Sequence, residues 1–184
     1  MNATRDEYTN TAKWLHWIMA VLIVLAWFIG LYVADLPKGP EKALIMAWHK
    51  GFGTAVLALI TVRLAWRLLN PPPQFPDGMS PGLRQAAHSV HWTLYGLMIA
   101  QPLSGWAVSS ASGYPVKLIG LITLPALVEK NESLAEFFVD VHSMLGWGLA
   151  ILVLGHVAMA IKHHHVDRNG ILKRILPGHR PAAD

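Results

Sequence analysis

Four long apolar stretches alternate with polar segments along this chain: residues 14–34, 47–69, 87–110 and 141–161. Crossing a bilayer takes about 20 predominantly apolar residues in one helix, and each stretch is long enough. The first and the last contain no Asp, Glu, Lys or Arg. The second closes on Arg63 and Arg67, one helical turn apart, whose long stems can reach back to the interface. The third carries His88 and His91 in its first turns and Pro102 inside it, where a kink is expected. The pattern predicts an all-α membrane protein, a four-transmembrane-helix bundle forming one domain over residues 1–184. The first stretch reads as a span rather than a signal peptide, being too long and lacking a small-residue cleavage site.

The connections are polar and short except one. Residues 35–46 hold two prolines and a glycine, and residues 70–81 (NPPPQFPDGMSP) cannot be a helix interior. Residues 111–140 contain SGYP, an apolar piece (VKLIGLITLPAL) and an acidic stretch (EKNESLAEFF). The apolar piece is too short to span and is broken by Pro125, so it should lie at the interface or fold onto the bundle. No internal sequence repeat is present.

Composition sharpens this picture. Of 184 residues, 53% are hydrophobic and 14% charged, against about 25% charged in a soluble domain. The chain has no cysteine, which excludes disulfides, Cys-ligated iron–sulfur clusters, c-type haem attachment and thiolate catalysis. The net charge of +4 follows membrane orientation rather than nucleic-acid binding. Arg5, Lys13, Arg63, Arg67, Arg84, Lys162, Arg168, Lys173, Arg174 and Arg180 fall on one side of the predicted bundle, and Lys38, Lys42, Lys117 and Lys130 on the other. Positive residues stay inside, so both termini are expected in the cytoplasm, with the first and third loops outside.

Topology gives each histidine a depth. His142 and His156 share the last stretch, fourteen residues apart. At 100° and 1.5 Å per residue they lie within about 40° of one face and roughly 21 Å apart along it. His49 joins His142 in the periplasmic half, and His16 joins His156 in the cytoplasmic half. A polar group within hydrocarbon is costly and reads as functional. Two trans imidazoles are the ligand set of a six-coordinate haem b, which needs no cysteine. Two such pairs predict two b-type haems. Gly51, Gly53, Gly146 and Gly148 near the periplasmic pair, and Gly155 beside His156, offer room for a flat macrocycle. They could equally serve helix packing. Arg63 and Arg67 are placed for the propionates of the cytoplasmic haem. A lone membrane histidine often only bonds a neighbouring helix, but four that pair by depth favour ligation. Zinc would want a carboxylate, a cysteine or more histidines at each level. His88 and His91 are either interfacial polar residues or substrate contacts. The run His163, His164 and His165 reads as a solvated basic tail abutting the cytoplasmic site.

These residues stand in a familiar order. Leu15-His16-Trp17, Trp48-His49-Lys50-Gly51 and Val62-Arg63-Leu64 through Arg67 come first. His88-x-x-His91 with Tyr95, Pro102-x-x-Gly105, the SGYPVKL segment, and His142 to His156 with the trailing histidines follow. In this the chain resembles the bacterial cytochrome b561 proteins, four-helix dihaem membrane cytochromes, over nearly its whole length. The resemblance implies His16 with His156 on one haem and His49 with His142 on the other, the pairing that depth gives. It also implies a bacterial inner-membrane location and ubiquinone contact on the cytoplasmic side, near His16, the arginine pair and the trailing histidines. One type of family member is a superoxide oxidase, a superoxide:ubiquinone oxidoreductase; others are cytochrome b subunits of hydrogenases and formate dehydrogenases. The expectation is therefore a conductor from a periplasmic one-electron donor, superoxide or a redox protein, to ubiquinone, with His88, His91 or His163 as proton relays. The outer segments carry five lysines against six carboxylates, so any positive funnel for superoxide must be local, around Lys50 and Lys117. The competing class is a haem-free transporter or structural membrane protein.

Overall fold

The computed structural model describes residues 7–76 and 78–178. Arg5 and Arg180, counted in the charge bias, lie outside them. Four long helices dominate: α1 (Asn10–Asp35), α2 (Pro40–Leu69), α3 (Pro81–Ala111) and α4 (Glu132–His165). A two-stranded antiparallel hairpin, β1 (Val116–Leu118) with β2 (Ile122–Leu124), sits between α3 and α4, and a short helix α5 (Ile171–Ile175) follows α4.

Local chemistry sets the helix ends. Thr9, Ser80 and Asn131 each accept a backbone N–H in the first turn of α1, α3 and α4 through their side chains. Pro40 and Pro81 open α2 and α3 where a missing N–H costs nothing. The second helix thus begins at Pro40, and residues 40–46, expected in a loop, are its first two turns. The acidic stretch before residue 141 is likewise helical, because Asn131 caps α4 a full ten residues earlier. α3 runs through Pro102 without ending.

α1, α2 and α4 are long and apolar enough to cross a membrane, with mean hydropathy of 2.5, 1.6 and 2.0 over their best windows. α3 is as long, but its serines, histidines and Gln101 lower its hydropathy, and it buries several of those polar groups inward. Large apolar side chains point outward all round the bundle: Phe28 is 61% exposed, Ile151 68% and Leu154 70%. Such a surface fits lipid and not water.

The helices pack as two hairpins. α1 lies on α2, α3 lies on α4, and α2 with α3 joins the two. Met19, Val56, Ile60 and Tyr95 form the core of that join, with Leu22, Leu57 and Met98 against it. α4 has at most marginal backbone contact with α1 or α2. Side chains alone bridge that cleft, including Trp27 and Trp147, edge to face at 5.2 Å.

The apolar piece of the third loop does fold onto the bundle, as the β-hairpin. Thr54 of α2 anchors it, accepting the Ile119 N–H at 3.1 Å, with Lys117 O 3.3 Å away. At the opposite end, the start of the chain, the end of α2 and α5 are tied together. Trp66 Nε1 donates to Thr9 (2.9 Å), Trp17 Nε1 to Ile175 O (3.0 Å) and Arg174 to Gln74 O (2.7 Å).

Candidate functional site

The cleft between the two hairpins holds the four histidines expected as ligands, His16, His49, His142 and His156, and their pairing follows the helices. His49 of α2 and His142 of α4 have ring centroids 6.0 Å apart, with planes at 86°. His16 of α1 and His156 of α4 are 6.3 Å apart at 68°. Each pair therefore takes one imidazole from each hairpin.

These separations lie in the range of edge-to-face ring contacts and also match ligation of one metal from two sides. An imidazole nitrogen sits about 2.0 Å from a bound metal and about 1.1 Å from its own ring centre, so two trans ligands have centroids about 6.2 Å apart. Both pairs meet that separation. His91 complicates the second level, because its ring is 5.5 Å from that of His156. His91 thus stands as close to His156 as His16 does, but on α3, the same hairpin as His156. Among the described residues no group of three or more His, Cys, Asp and Glu side chains is close enough to share a small metal ion. One imidazole pair across the cleft at each level, with His91 near the second, suits a macrocycle that supplies its own equatorial nitrogens.

A Cβ on Gly51, Gly53, Gly148 or Gly155 would meet nothing within 4 Å, whereas one on Gly146, also expected to offer room, would stand 3.1 Å from Gln101 Nε2. Beside His142, Gln101 Nε2 approaches the ring Nε2 at 3.3 Å, while Gln101 Oε1 is the one buried side-chain oxygen or nitrogen without a partner among the described residues. A buried orphan acceptor is uncommon and marks a place where the protein alone does not complete its contacts. On donor set and separation, the cleft fits b-type haem.

The arginine pair is held by α3. Arg63 Nε donates to Tyr95 Oη at 3.2 Å, and the Arg67 guanidinium lies 5.4 Å from the Tyr95 ring and 5.6 Å from that of Trp92. Arg67 also lines a cavity of about 430 Å³ with Tyr8, Arg84, Arg174, His88 and His91, roofed by the proline-rich loop. Among the described residues no carboxylate lines it. Burial pushes the Tyr8 phenol above its ordinary value, with Arg67 and Arg63 acting the other way, so it remains a neutral donor.

His163 departs from expectation. It is buried, 7% exposed, and its Nδ1 lies 2.7 Å from Asp167 Oδ2. It is not a solvated tail residue, nor does it line the cavity. Asp167 also accepts from Lys162 at 2.9 Å. The last turn of α4 is thereby clamped, which turns the chain toward α5.

Two residues escaped the sequence reading. A Cβ on Gly30 would stand 2.8 Å from His49 Cε1, and one on Gly105 would stand 2.9 Å from His142 Cε1. Both glycines are far in sequence from the histidines they face, so spacing could not expose them. Gly105 had one signal, its place in the Pro102-x-x-Gly105 motif.

One family and three known proteins are similar to this chain. The family described as "Prokaryotic cytochrome b561" matches residues 7–178. The chain is 31% identical over 180 residues to "Cytochrome b561 homolog 2" of Escherichia coli (strain K12), covering 94% of this chain and 93% of that one. It is 30% identical over 175 residues to "Probable superoxide oxidase CybB" of Yersinia pestis, covering 95% and 98%. It is 24% identical to "Cytochrome b561 homolog 1" of Escherichia coli (strain K12), covering 94% and 98%.

Proposed function

The chain belongs to the prokaryotic cytochrome b561 family, and from that premise we propose that it carries electrons across the bacterial inner membrane from superoxide to ubiquinone. The single observation that carries this reading is the pair of imidazole couples at two levels of one cleft. All four long helices span the bilayer, and both termini face the cytoplasm. Haem b, when bound at each couple, supplies reversible one-electron chemistry at iron. His49 and His142 hold the outer group, and His16 and His156 the inner one.

The remaining residues serve the two ends. Outside, Lys50 lies over the Tyr114 ring at 5.6 Å, and the Thr54 anchor brings Lys117 into its neighbourhood. This local positive patch attracts the superoxide anion despite the acidic balance of the outer segments. Inside, the cavity of Tyr8, Arg67, Arg84, His88, His91 and Arg174 receives the quinone head. Tyr8 donates to a quinone oxygen, and His88 and His91 deliver protons. Two superoxide anions become two dioxygen molecules while one ubiquinone takes up two electrons and two protons.

The test is a reduced-minus-oxidised spectrum with haem stoichiometry on wild type, His142→Ala and His156→Ala. Each variant should lose one of two haems; a variant retaining both refutes the pairing. Superoxide-driven ubiquinone reduction by the isolated protein then tests the donor.

One observation favours a second reading. Glu132, Glu136 and Asp140 recur every fourth residue on the outer turns of α4, and all three are exposed. A basic redox protein could dock on that stripe, making the chain an electron-transfer subunit. Co-purification of such a partner, with no superoxide activity in the isolated chain, would establish this instead.

A further inference from the structure

We propose that Gly30 and Gly105 are positioning residues for His49 and His142, each leaving open the backbone carbonyl that orients the imidazole beside it. The inference rests on the reading of this couple as ligands of one haem.

His49 Nδ1 donates to Ala26 O at 2.9 Å, and His142 Nδ1 donates to Gln101 O at 3.1 Å. Each carbonyl belongs to the residue four before a glycine: Ala26 before Gly30 in α1, Gln101 before Gly105 in α3. A helix carbonyl bonds the N–H four residues on and keeps a second lone pair. A side chain on that fourth residue stands beside the lone pair. With glycine there, the imidazole enters and takes it. The same three ring atoms meet the missing Cβ in both cases, Cε1 at 2.8 and 2.9 Å, Nδ1 at 3.2 and 3.2 Å, Nε2 at 3.7 and 3.7 Å. One device is thus built twice, with the first helix of each hairpin holding the histidine of the second.

Two consequences follow for the couple. With Nδ1–H donating, Nε2 is the unprotonated nitrogen of each ring, which fixes the ligating tautomer; in His142 it lies 3.3 Å from Gln101 Nε2. The bond also makes the imidazole more basic, favouring the oxidised iron. Ser104 Oγ, 2.9 Å from His142 Nδ1, adds a second acceptor there. The other couple differs: among the described residues neither His16 nor His156 makes a ring-nitrogen hydrogen bond. The outer haem should therefore have the lower potential, and electrons should run from it inward.

The experiment uses the full-length haem-loaded protein in detergent: wild type, Gly30→Ala, Gly105→Ala, Ser104→Ala, and Gly82→Ala as a control where a Cβ meets nothing within 4 Å. Haem per chain and a potentiometric titration resolving both haems are measured. Gly30→Ala and Gly105→Ala should each raise one haem's potential by about tenfold in its equilibrium, 59 mV for one electron, or lose that haem alone. Ser104→Ala should move the same haem upward by less, and Gly82→Ala should move neither. Wild-type haem content and potentials in both glycine variants would overturn the proposal, as would equal shifts in both haems. If the glycine variants do not fold, Ser104→Ala decides: an upward shift in one haem supports it, and unchanged potentials overturn it. A wild type with fewer than two haems would instead overturn the underlying reading.

Discussion

Replacing Thr54 by valine should release the outer β-hairpin without disturbing the helix that carries it. The substitution keeps the shape of a side chain that is only 6% exposed. It removes the oxygen that accepts the Ile119 N–H and lies within reach of Lys117 O and Gly51 O. Ile119 is 57% exposed, so the loss is the net value of one hydrogen bond, about 0.5–1.5 kcal/mol. Hairpin detachment should then rise roughly 2- to 13-fold. Hydrogen exchange by mass spectrometry, on protein in lipid nanodiscs, would read this as faster exchange confined to residues 116–124. Thr54→Ser, which keeps the hydroxyl, should exchange like wild type. Unchanged exchange of that segment in Thr54→Val would refute the claim that this hydroxyl anchors it. Because the anchor sets Lys117 near Lys50, the valine variant should also lower the superoxide-driven rate, most at low ionic strength.

Acid should loosen the end of α4. Hydrogen bonds from Lys162 and then His163 hold the Asp167 carboxyl below its ordinary 3.8. That stabilisation is complete above the unfolded value and is lost as pH falls through the lowered folded one; melting followed below pH ~4 should show an acid limb that Asp167→Asn lacks. Lys13 is 1% exposed and meets Glu7 at 2.6 Å. Glu7→Gln should destabilise the protein, because it takes a carboxylate from a buried ammonium, as a fall in thermal midpoint would show. Arg84→Ala and Arg174→Ala should raise the apparent KM for a water-soluble ubiquinone several-fold with haem content unchanged, because both line the cavity and neither touches the imidazole couples.

Much of this protein is legible one residue at a time. Hydrophobicity is a local property, so the helices could be placed, and their ends erred only where caps decide. Asn131 and Pro40 extended α4 and α2 beyond the apolar runs. Residues 116–124 looked merely apolar, because strand pairing depends on a Thr54 hydroxyl more than sixty positions away. His163 looked solvated until Asp167 was found one turn on.

The site divides the same way. Depth along a span is set by residue count at 1.5 Å per residue, so which histidines share a level follows from the chain alone. What faces them across the cleft does not. The repeated carbonyl device leaves no repeat in the sequence, since Gly30 precedes His49 by 19 residues and Gly105 precedes His142 by 37. Loop length is free to vary while helix packing is not. The chain by itself determined a membrane bundle with two levels of paired imidazoles. Only the packing of two helical hairpins decided which backbone carbonyl each outer imidazole meets, because that contact depends on the close approach of helices distant in sequence.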